Sequence, residues 1–116
     1  MGEECIFCRI VRGEIKAQIV DEDDNFIAFL DSNPVADGHT LIVPKKHCKT
    51  ILDLPDSLGN ELLGFIKKVS LKLVKAGKAE GFNIIMNNFS EAGQVVMHAH
   101  MHIIPRKEGD GLKAFV

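Results

Sequence analysis

The sequence predicts an α+β fold with an antiparallel sheet of about five strands, one long helix and a short N-terminal helix. Three observations support this class. Residues 58–74 are the single long segment in which apolar residues have helical spacing. The other apolar runs are short, are separated by turn residues and do not alternate with helices as they would in a parallel sheet. The length of 116 residues suits one core, so we expect a single domain over residues 1–116.

The predicted elements are, in chain order, a short helix over 4–12, hairpin strands over 18–21 and 25–31, a strand over 39–44, the long helix, and strands over 82–87 and 95–104. In the first helix Ile6 and Ile10 have helical spacing, and Gly13 ends it. The acidic turn DEDDN separates the two hairpin strands. The turn residues DSNPVADG then precede the apolar strand HTLIVP.

The long helix is the clearest element. Asp56 or Ser57 is placed to cap its N-terminus, and Gly77 stands where a C′ glycine ends a helix. The apolar residues with helical spacing are Leu58, Leu62, Phe65, Ile66, Val69, Leu73 and Val74. Leu63 and Leu71 fall outside this stripe, which indicates either a dimer contact or additional core.

The last predicted strand contains three of the five histidines, in the run HAHMHIIPR. Because successive side chains of a strand point to opposite faces, His98, His100 and His102 are predicted to share one face. The residues predicted to pack into the core behind them are Ala99, Met101 and Ile103. Pro105 cannot donate to the ladder, so it marks the end of the strand or an edge.

The composition is that of a globular protein and excludes several classes of partner. Hydrophobic residues make up 46% and charged residues 26%, and the formal net charge is −2. Basic residues occur in runs of no more than two, so we expect no nucleic-acid partner. No apolar stretch approaches the length of a membrane span, and the N-terminus has acids where a signal peptide has bases. We therefore expect a cytoplasmic protein without a membrane partner.

Three imidazoles in a row allow two kinds of site. All three can hold a catalytic zinc ion. Alternatively, one imidazole acts as a nucleophile or base and its neighbours tune it, with no metal involved. A solvent-exposed polar face is a third possibility, but clustered histidines are far more typical of a functional site.

The cysteines favour a metal site apart from the catalytic histidines. Cys5 and Cys8 form a C-x-x-C pair, which supplies two ligands of a tetrahedral zinc ion. His47 and His98 are the natural completing pair, so the sequence predicts a Cys₂His₂ site. Four protein ligands close the coordination sphere, and a zinc ion held in this way is structural. The alternative is a reduced cysteine pair in a small core, and Cys48 is assigned no role.

If His98 binds the structural metal, His39, His100 and His102 remain for chemistry in a site without a metal of its own. A neutral imidazole is a good nucleophile near neutral pH. A hydrogen bond to its second ring nitrogen decides which nitrogen is free to attack. This favours nucleophilic or acid–base catalysis that requires no cofactor.

The run HAHMHII resembles the motif of the histidine-triad (HIT) family, in which histidines alternate with apolar residues. Three longer blocks resemble the same family in the same order: CIFCRIVRGEI, FLDSNPVADGHTLIVPKKH and NNFSEAGQVVMHAHMHIIPR. They extend from residue 5 to residue 106, and the short form of the chain is similar to the Hint-type branch of purine nucleoside phosphoramidases. The resemblance implies the HIT-like fold and a homodimer built with the long helix and a neighbouring strand.

The resemblance implies a nucleotidyl hydrolase that acts at the α-phosphate of purine nucleotides such as adenosine 5′-phosphoramidates. His100 would attack phosphorus and form a nucleotidyl-histidine, and water would then release AMP. His102 would bind the phosphate or the leaving group, and His39 would complete the histidine network. The alternatives are a dinucleoside polyphosphate hydrolase or nucleotidyl transferase, a zinc hydrolase that uses the triad as ligands, and a purine-nucleotide-binding protein without turnover.

The resemblance also implies which residues hold the nucleotide. Asp31 would accept hydrogen bonds from the ribose hydroxyls, since one carboxylate matches two vicinal hydroxyls. The base slot would be formed by Ile6, Phe7, Ile10 and Phe29, and the phosphate would be surrounded by Asn87, Gly93, Gln94 and the Val95 amide. Val95 departs from the family, because Hint-type enzymes that strongly favour amine leaving groups often have serine there. Relatives with the C-x-x-C pair imply the zinc ligands already named, namely Cys5, Cys8, His47 and His98.

Overall fold

The computed structural model describes residues 5–113, and Glu4, where the first helix is predicted to begin, lies outside this range. Within it the helices and strands are α1 (Ile6–Val11), β1 (Ile19–Glu22), β2 (Phe26–Leu30), β3 (Thr40–Pro44), α2 (Gly59–Lys75), β4 (Gly81–Ile85) and β5 (Met101–Arg106). Neither of these two helices is long and apolar enough to cross a membrane. The predicted α+β class and its antiparallel sheet are confirmed.

The five strands form one sheet in the order β1-β2-β3-β5-β4. The first hairpin turns at Asp23, whose carboxylate accepts a hydrogen bond from the Phe26 N–H at 2.7 Å, within the predicted acidic turn. Strand β5 lies between β3 and β4, so that His102 pairs with Leu41 on one side and Ile85 on the other. The last strand is therefore an inner strand of the sheet.

Each face of the sheet has its own core. Helix α2 covers one face, where the buried residues are Phe26, Ala28, Ile42, Phe65, Val69, Leu73 and Ile103. The short α1 covers part of the opposite face, where the buried residues are Phe7, Ile27, Phe29, Leu41 and Val43. Strands β2 and β3 are buried on both faces, which is why they are continuous apolar runs in the sequence. The part of the second face that α1 leaves open contains the candidate site.

The C-terminus of α2 follows the prediction. Gly77 adopts φ +76°, a left-handed conformation that glycine takes without strain. Its N–H donates to the Val74 carbonyl at 3.1 Å, and the Lys78 N–H donates to the Leu73 carbonyl at 3.0 Å. These two bonds form a Schellman motif, so the helix ends where its glycine stands.

The N-terminus of α2 differs from the prediction. The helix begins at Gly59, after a 3₁₀ turn over Asp56–Leu58. Its N-cap is Leu58, which has no side-chain hydrogen bond to offer. The prediction that Asp56 or Ser57 caps the helix is therefore wrong, because the preceding turn already winds the chain into the helix.

The last strand begins at Met101, not at residue 95 as predicted. Pairing with β3 starts at the same place, where Met101 lies opposite Ile42. Before that point the Ala99 N–H donates to the Cys48 carbonyl at 2.7 Å, outside the ladder. The two preceding histidines of the triad thus lie on the approach to the strand, and the third lies within it.

The remaining predictions for this strand agree with the structure. Pro105 lies opposite Phe82 of β4, beyond Ile103, where the pairing of β5 with β3 ends. On its β3 side it occupies an edge, as a residue without an N–H requires. Ala99 and Ile103 are buried, and Met101 packs against the core under α2.

Candidate functional site

A cleft of about 890 Å³ opens on the face of the sheet that α1 only partly covers. Its lining includes ten residues named by the sequence analysis: Ile6, Phe7, Ile10, Phe29, Asp31, Asn87, Gly93, Val95, His100 and His102. They come from α1, the end of β2, the loop after β4, the approach to β5 and β5 itself. A volume in this range is typical of small-molecule sites.

One end of the cleft is apolar and aromatic. Phe7 and Phe29 meet edge to face with ring centroids 5.7 Å apart, and both are buried. Ile6, on the exposed side of α1, is 47% exposed although it lines the cleft. An exposed isoleucine beside two buried aromatic rings forms a surface suited to a flat apolar ligand group.

His100 lies in the cleft with only 6% of its surface exposed. Its Nδ1 is 2.7 Å from the His98 carbonyl, which can only accept, so Nδ1 carries the proton. Nε2 therefore has a free lone pair, and no hydrogen bond to another described residue occupies it. The Phe7 ring packs against the imidazole edge to face at 5.1 Å, which restricts its rotation. His100 is thus a buried imidazole oriented for attack through Nε2.

Cys5, Cys8, His47 and His98 form a cluster that could hold a metal ion. Their Sγ and Nδ1 atoms all lie within 4.8 Å of one another. His98 Nδ1 is 3.3 Å from Cys5 Sγ, 3.5 Å from Cys8 Sγ and 3.2 Å from His47 Nδ1. Tetrahedral zinc with ordinary Zn–S and Zn–N bonds places its ligand atoms about 3.3–3.8 Å apart, close to these separations.

The tautomer of His98 fits a metal ligand. Its Nε2 donates to the Pro44 carbonyl at 2.8 Å, so its Nδ1 has the lone pair and points at the cluster. Cys5 is the N-cap of α1 and Cys8 lies one turn later, which places both thiols at the same helix end. The cluster would tie α1 to the approach of β5. His47 is exposed, so one side of the cluster is open to solvent.

Burial shifts the pKa of two members of this cluster. It raises the pKa of the Cys8 thiol to about 11, and the hydrogen bond and charge of Cys5 act in the same direction. Burial also lowers the pKa of His98 to about 4. A bound cation reverses this situation for the thiols, because thiolate is the form that binds metal. Burial therefore disfavours a free thiolate at Cys8, and a metal bound by the cluster would favour that thiolate.

A second set of polar groups lies at the other side of the triad. His39 Nε2 is 2.9 Å from His102 Nδ1 and 3.4 Å from the Asp31 Oδ2. His39 is 4% exposed and does not line the cleft, whereas Asp31 and His102 do. Burial lowers the pKa of His39 and lowers that of His102 to about 4, so both rings are neutral near pH 7.

The loop after β4 presents unused hydrogen-bond donors to the cleft. The side-chain amide of Asn87 and the N–H of Val95 bond to no other described residue. Gly93 has φ +97°, and a Cβ there would lie 3.5 Å from Asn87 Nδ2. Donors of this kind around a glycine bind anions such as phosphate. The Val95 side chain is 87% exposed at the rim.

Gln94 has a different role from the predicted phosphate contact. It is buried, and its side-chain amide donates to the Lys49 and Val96 carbonyls at 2.6 and 3.0 Å. Its Oε1 accepts from the Phe89 N–H, and its own N–H donates to the Phe89 carbonyl. These bonds occupy all its donors and hold the loop together. The prediction that Gln94 contacts phosphate is corrected for this reason.

Several groups of the site have no signal in the sequence. The Val35 N–H donates to His39, and the Pro44 carbonyl accepts from His98, but main-chain groups are the same for every residue. Lys16 and Gln18 also line the cleft. Their nearness to Phe29 follows from the pairing of β1 with β2, and only a hairpin register would have revealed it.

Sequence comparison identifies a family and relatives of known activity. The HIT domain family matches residues 12–109. The chain is 43% identical over 114 residues to the adenylylsulfatase HINT3 of Arabidopsis thaliana, covering 98% of this chain and 58% of that relative. It is 40% identical over 108 residues to the adenosine 5′-monophosphoramidase HNT1 of Candida albicans, covering 90% of this chain and 71% of that relative.

One similar solved structure contains zinc. A zinc-bound histidine triad family protein from Mycobacterium smegmatis superposes with a TM-score of 0.89 at 34% identity. The match covers 97% of this chain and 82% of that protein. That protein is zinc-bound, and zinc is the ion whose ligand separations fit the cysteine–histidine cluster.

Proposed function

The chain belongs to the HIT domain family, and we propose that it hydrolyses purine nucleotides substituted at the α-phosphate, such as adenosine 5′-phosphoramidates, and releases AMP. The observation that carries this proposal is the geometry of His100, a buried cleft imidazole whose Nδ1–H is bound to a carbonyl and whose Nε2 is free. Relatives named as an adenylylsulfatase and a monophosphoramidase support a nucleotide hydrolase in general.

The reaction has two displacement steps at phosphorus. In the first, the lone pair of His100 Nε2 forms a P–N bond while the bond to the leaving nitrogen breaks. The leaving nitrogen takes up a proton and departs as ammonia or an amine. In the second, water attacks phosphorus, the P–N bond to His100 breaks, and AMP leaves with the added oxygen. The His98 carbonyl stabilises the positive imidazole of the intermediate through the Nδ1–H bond.

The cleft accommodates the three parts of a nucleotide in one row. The base occupies the apolar end against Phe7 and Phe29, together with Ile6 and Ile10. The ribose hydroxyls donate to Asp31, which lines the same cleft. The phosphate lies beside His100, where it accepts from Asn87 and from the N–H groups near Gly93 and Val95.

The residue at position 95 bears on the choice of leaving group. Val95 has no hydroxyl with which to protonate an amine, and its side chain projects into solvent. A dinucleoside polyphosphate or a nucleotidyl acceptor other than water fits the same nucleophile and is the alternative substrate class. A purine-nucleotide binder without turnover is a further alternative, but binding needs no nucleophile with a free Nε2.

We assign the cysteine–histidine cluster to a structural zinc ion held by Cys5, Cys8, His47 and His98. Zinc bound there would cross-link α1 to the approach to β5. Four protein ligands leave it no open position, and it lies outside the residues lining the cleft. Catalysis by His100 therefore requires no metal.

We also propose that two chains associate through the edge strand β4. Phe82 and Ile84 of this edge strand are exposed. Their partners in β5 show that both side chains lie on the α2 face of the sheet. Lys68 and Lys72 reach β1 at the opposite edge, so the other flank of α2, with exposed Leu63 and Val74, faces β4. Together these four apolar side chains form a ledge, named here the β4 ledge, that suits a second copy of the chain.

The decisive experiment measures AMP release from an adenosine 5′-phosphoramidate by the wild-type protein and by His100→Ala, each with and without a strong chelator. We expect the substitution to lower kcat at least about 10³-fold, because it removes the nucleophile. Chelation should leave turnover in place, with circular dichroism confirming that the protein remains folded.

Each other outcome selects an alternative. If chelation abolishes turnover while the protein stays folded, the triad binds a catalytic metal, and the role of His100 as nucleophile is refuted. Tight AMP binding without turnover, equal in both variants, would indicate a binding protein. Turnover of dinucleoside polyphosphates alone would keep the nucleophile and change the substrate.

A further inference from the structure

Helix α1 contributes residues both to the cysteine–histidine cluster and to the cleft. Cys5 is its N-cap, and Cys8 lies three residues later, on the same side of the helix. Ile6 and Ile10 are four residues apart, share another side of the helix and line the apolar end of the cleft. One short helix therefore provides two of the four cluster side chains and part of the surface proposed to hold the base.

Phe7, on the same helix, lies between the two sites. Its ring meets His98 of the cluster edge to face, with ring centroids 5.9 Å apart. It also meets Phe29 at 5.7 Å and His100 at 5.1 Å, and both of these residues line the cleft. Interiors are close-packed, so a displacement of this buried ring changes the contacts of the cluster and of the cleft at the same time.

Side chains attach α1 to the rest of the protein. In the described part of the chain, the main-chain hydrogen bonds of residues 5–14 connect these residues to one another. A helix of six residues is not stable by itself. Its position therefore depends on the packing of Phe7 and on the contacts of Cys8 Sγ with His47 Nδ1 at 3.2 Å and with His98 Nδ1 at 3.5 Å.

We propose that α1 couples the two sites, so that zinc in the cluster and a nucleotide in the cleft each strengthen the binding of the other. Zinc requires both thiols in place, and the base gains its contacts with Ile6, Phe7 and Ile10 only when the helix is docked on the sheet. Both ligands therefore favour the docked helix over a released one. The proposal rests on the proposed function, because the nucleotide is one of the two ligands. Phe7 acts as a positioning residue.

Thermodynamic linkage gives this coupling two consequences. Zinc must change the affinity for the nucleotide by the same factor by which the nucleotide changes the affinity for zinc. Loss of zinc raises KM and leaves kcat unchanged, because saturating substrate returns the helix to its docked position. The nucleophile therefore stays active without the metal, and chelation at saturating substrate leaves turnover in place.

The first test measures both halves of the linkage on the full-length protein. Titration calorimetry gives the AMP dissociation constants of the zinc-loaded and metal-free forms. Competition with a chromophoric chelator gives the zinc affinity with and without saturating AMP. We expect zinc to tighten AMP binding about tenfold and AMP to tighten zinc binding by the same factor. Zinc bound by AMP in solution would shift the second measurement in the opposite direction, so it cannot mimic the coupling. The same AMP dissociation constant in both forms would overturn the proposal.

Two substitutions locate the coupling. Phe7→Leu keeps an apolar side chain and all four cluster residues, but it removes the ring that contacts His98 and His100. We expect this variant to take up zinc and to reduce the coupling factor to less than about threefold. Asp31→Asn is the matched control, because Asp31 lies outside α1 and its loss should weaken AMP binding equally in both metal forms. A full factor in Phe7→Leu, or an equal loss of the factor in Asp31→Asn, would refute transmission through the ring.

The second test observes the helix in the wild-type protein and depends on no variant. The Arg9 N–H donates to the Cys5 carbonyl at 3.1 Å, and the Arg12 N–H donates to the Cys8 carbonyl at 3.0 Å. We expect removal of zinc to speed hydrogen exchange of these two amides at least about tenfold, and AMP to restore their protection. The amides of the β4–β5 ladder should keep theirs. Unchanged exchange at Arg9 and Arg12 would overturn the proposal. Loss of protection in the ladder as well would also overturn it, because the metal would then hold the whole fold rather than α1.

Kinetics separate this proposal from the proposed function. With an adenosine 5′-phosphoramidate as the substrate, zinc removal should raise KM about tenfold and leave kcat within about twofold. A fall in kcat at unchanged KM would overturn the coupling. If both metal forms neither bind AMP nor turn over the substrate, the proposed function fails and the coupling fails with it. If AMP binds with an affinity that does not depend on zinc, the coupling alone fails.

Discussion

Phe89 has a strained backbone conformation. It has φ 73° and ψ 155°, a combination that only glycine adopts without strain, and it is the only described non-glycine residue with positive φ. Such strain is on the order of 1–3 kcal/mol and concentrates at functional loops. The hydrogen bonds of Gln94 hold Phe89 in place from both its N–H and its carbonyl. The strain thus lies in the loop that presents Gly93 to the cleft.

Replacing Phe89 should reverse the usual order of alanine and glycine. Both Phe89→Gly and Phe89→Ala lose the ring and its contact with Lys49, whose ammonium lies 5.5 Å from the ring centroid. Only glycine relieves the positive φ. We expect Phe89→Gly to be about 1 kcal/mol more stable than Phe89→Ala, measured by urea unfolding. A more stable alanine variant would show that the loop relaxes to a negative φ.

At this scale the sequence predicted side chains better than main-chain groups. His100 and the four metal-compatible residues were recognisable because histidine and cysteine are rare and their spacing carries information. Gln94 was assigned to phosphate because the family resemblance implied it. The structure uses its donors to tie Lys49 and Val96 together, and a long-range contact of this kind leaves no local pattern.

Among the elements, the segment after β5 is held by one arginine. The Arg106 guanidinium donates to Asp110 through Nε at 2.8 Å and through Nη2 at 3.3 Å, and also to the Leu112 carbonyl. The N–H groups of Lys107 and Leu112 donate to the same carboxylate. The Arg106 bond, followed by these two, holds the pKa of Asp110 well below its ordinary value of 3.8.

This shift predicts how the stability contribution of Asp110 depends on pH. A carboxylate whose pKa is lower in the folded state stabilises that state above its unfolded pKa and loses the contribution as the pH falls through the folded pKa. We expect Asp110→Asn to lower Tm at pH 7, with a difference from wild type that shrinks as the pH drops below about 3.8.

Glu108→Gln is the matched control, because it removes an acidic charge from the same segment without touching Arg106. Calorimetric scans from pH 7 to pH 2 provide the measurement. A difference for Asp110→Asn that stays constant over this range would mean that the charge of Asp110 contributes nothing.

Element ends were predictable where the signal was local. Gly77 ends α2 because a left-handed residue closes a Schellman motif. The start of β5 was placed six residues early, since alternation continues through His98 and His100 although the ladder does not. The ladder stops where the Ala99 N–H donates to the Cys48 carbonyl. These residues are far apart in sequence, so no local pattern predicts the bond.

For the whole molecule, the β4 ledge predicts a dimer. Ile84→Lys places a charge on the exposed edge strand, and we expect this charge to prevent dimer formation. The wild-type protein should have about twice the chain mass of 12.8 kDa, and the variant should have the mass of one chain. Leu71→Lys is the control, because Leu71 is 51% exposed but helical spacing turns it away from β4. Light scattering after size exclusion is the measurement. A monomeric wild-type protein, or a dimer in both variants, would refute the use of this ledge.

At this scale the fold class could be predicted from apolar periodicity, whereas the residues of the cleft were named only through the family resemblance and its shape could not be predicted. Apolar periodicity determines which residues are buried, and that suffices for one helix on an antiparallel sheet. The cleft exists because α1 is only six residues long and leaves part of its face uncovered. Which part stays open depends on where Phe7 packs, against Phe29 and His100, and this contact joins distant parts of the chain.

The acceptor that orients His100 is a main-chain oxygen, and this has an evolutionary consequence. Any residue at position 98 provides that carbonyl, whereas only a ligating side chain serves the cysteine–histidine cluster. A lineage could therefore lose Cys5, Cys8 and the His98 ring, together with the proposed metal site, and keep the proposed nucleophile. The two proposed sites adjoin in space but can be inherited separately. A lineage can lose or regain the metal site without passing through an inactive ancestor.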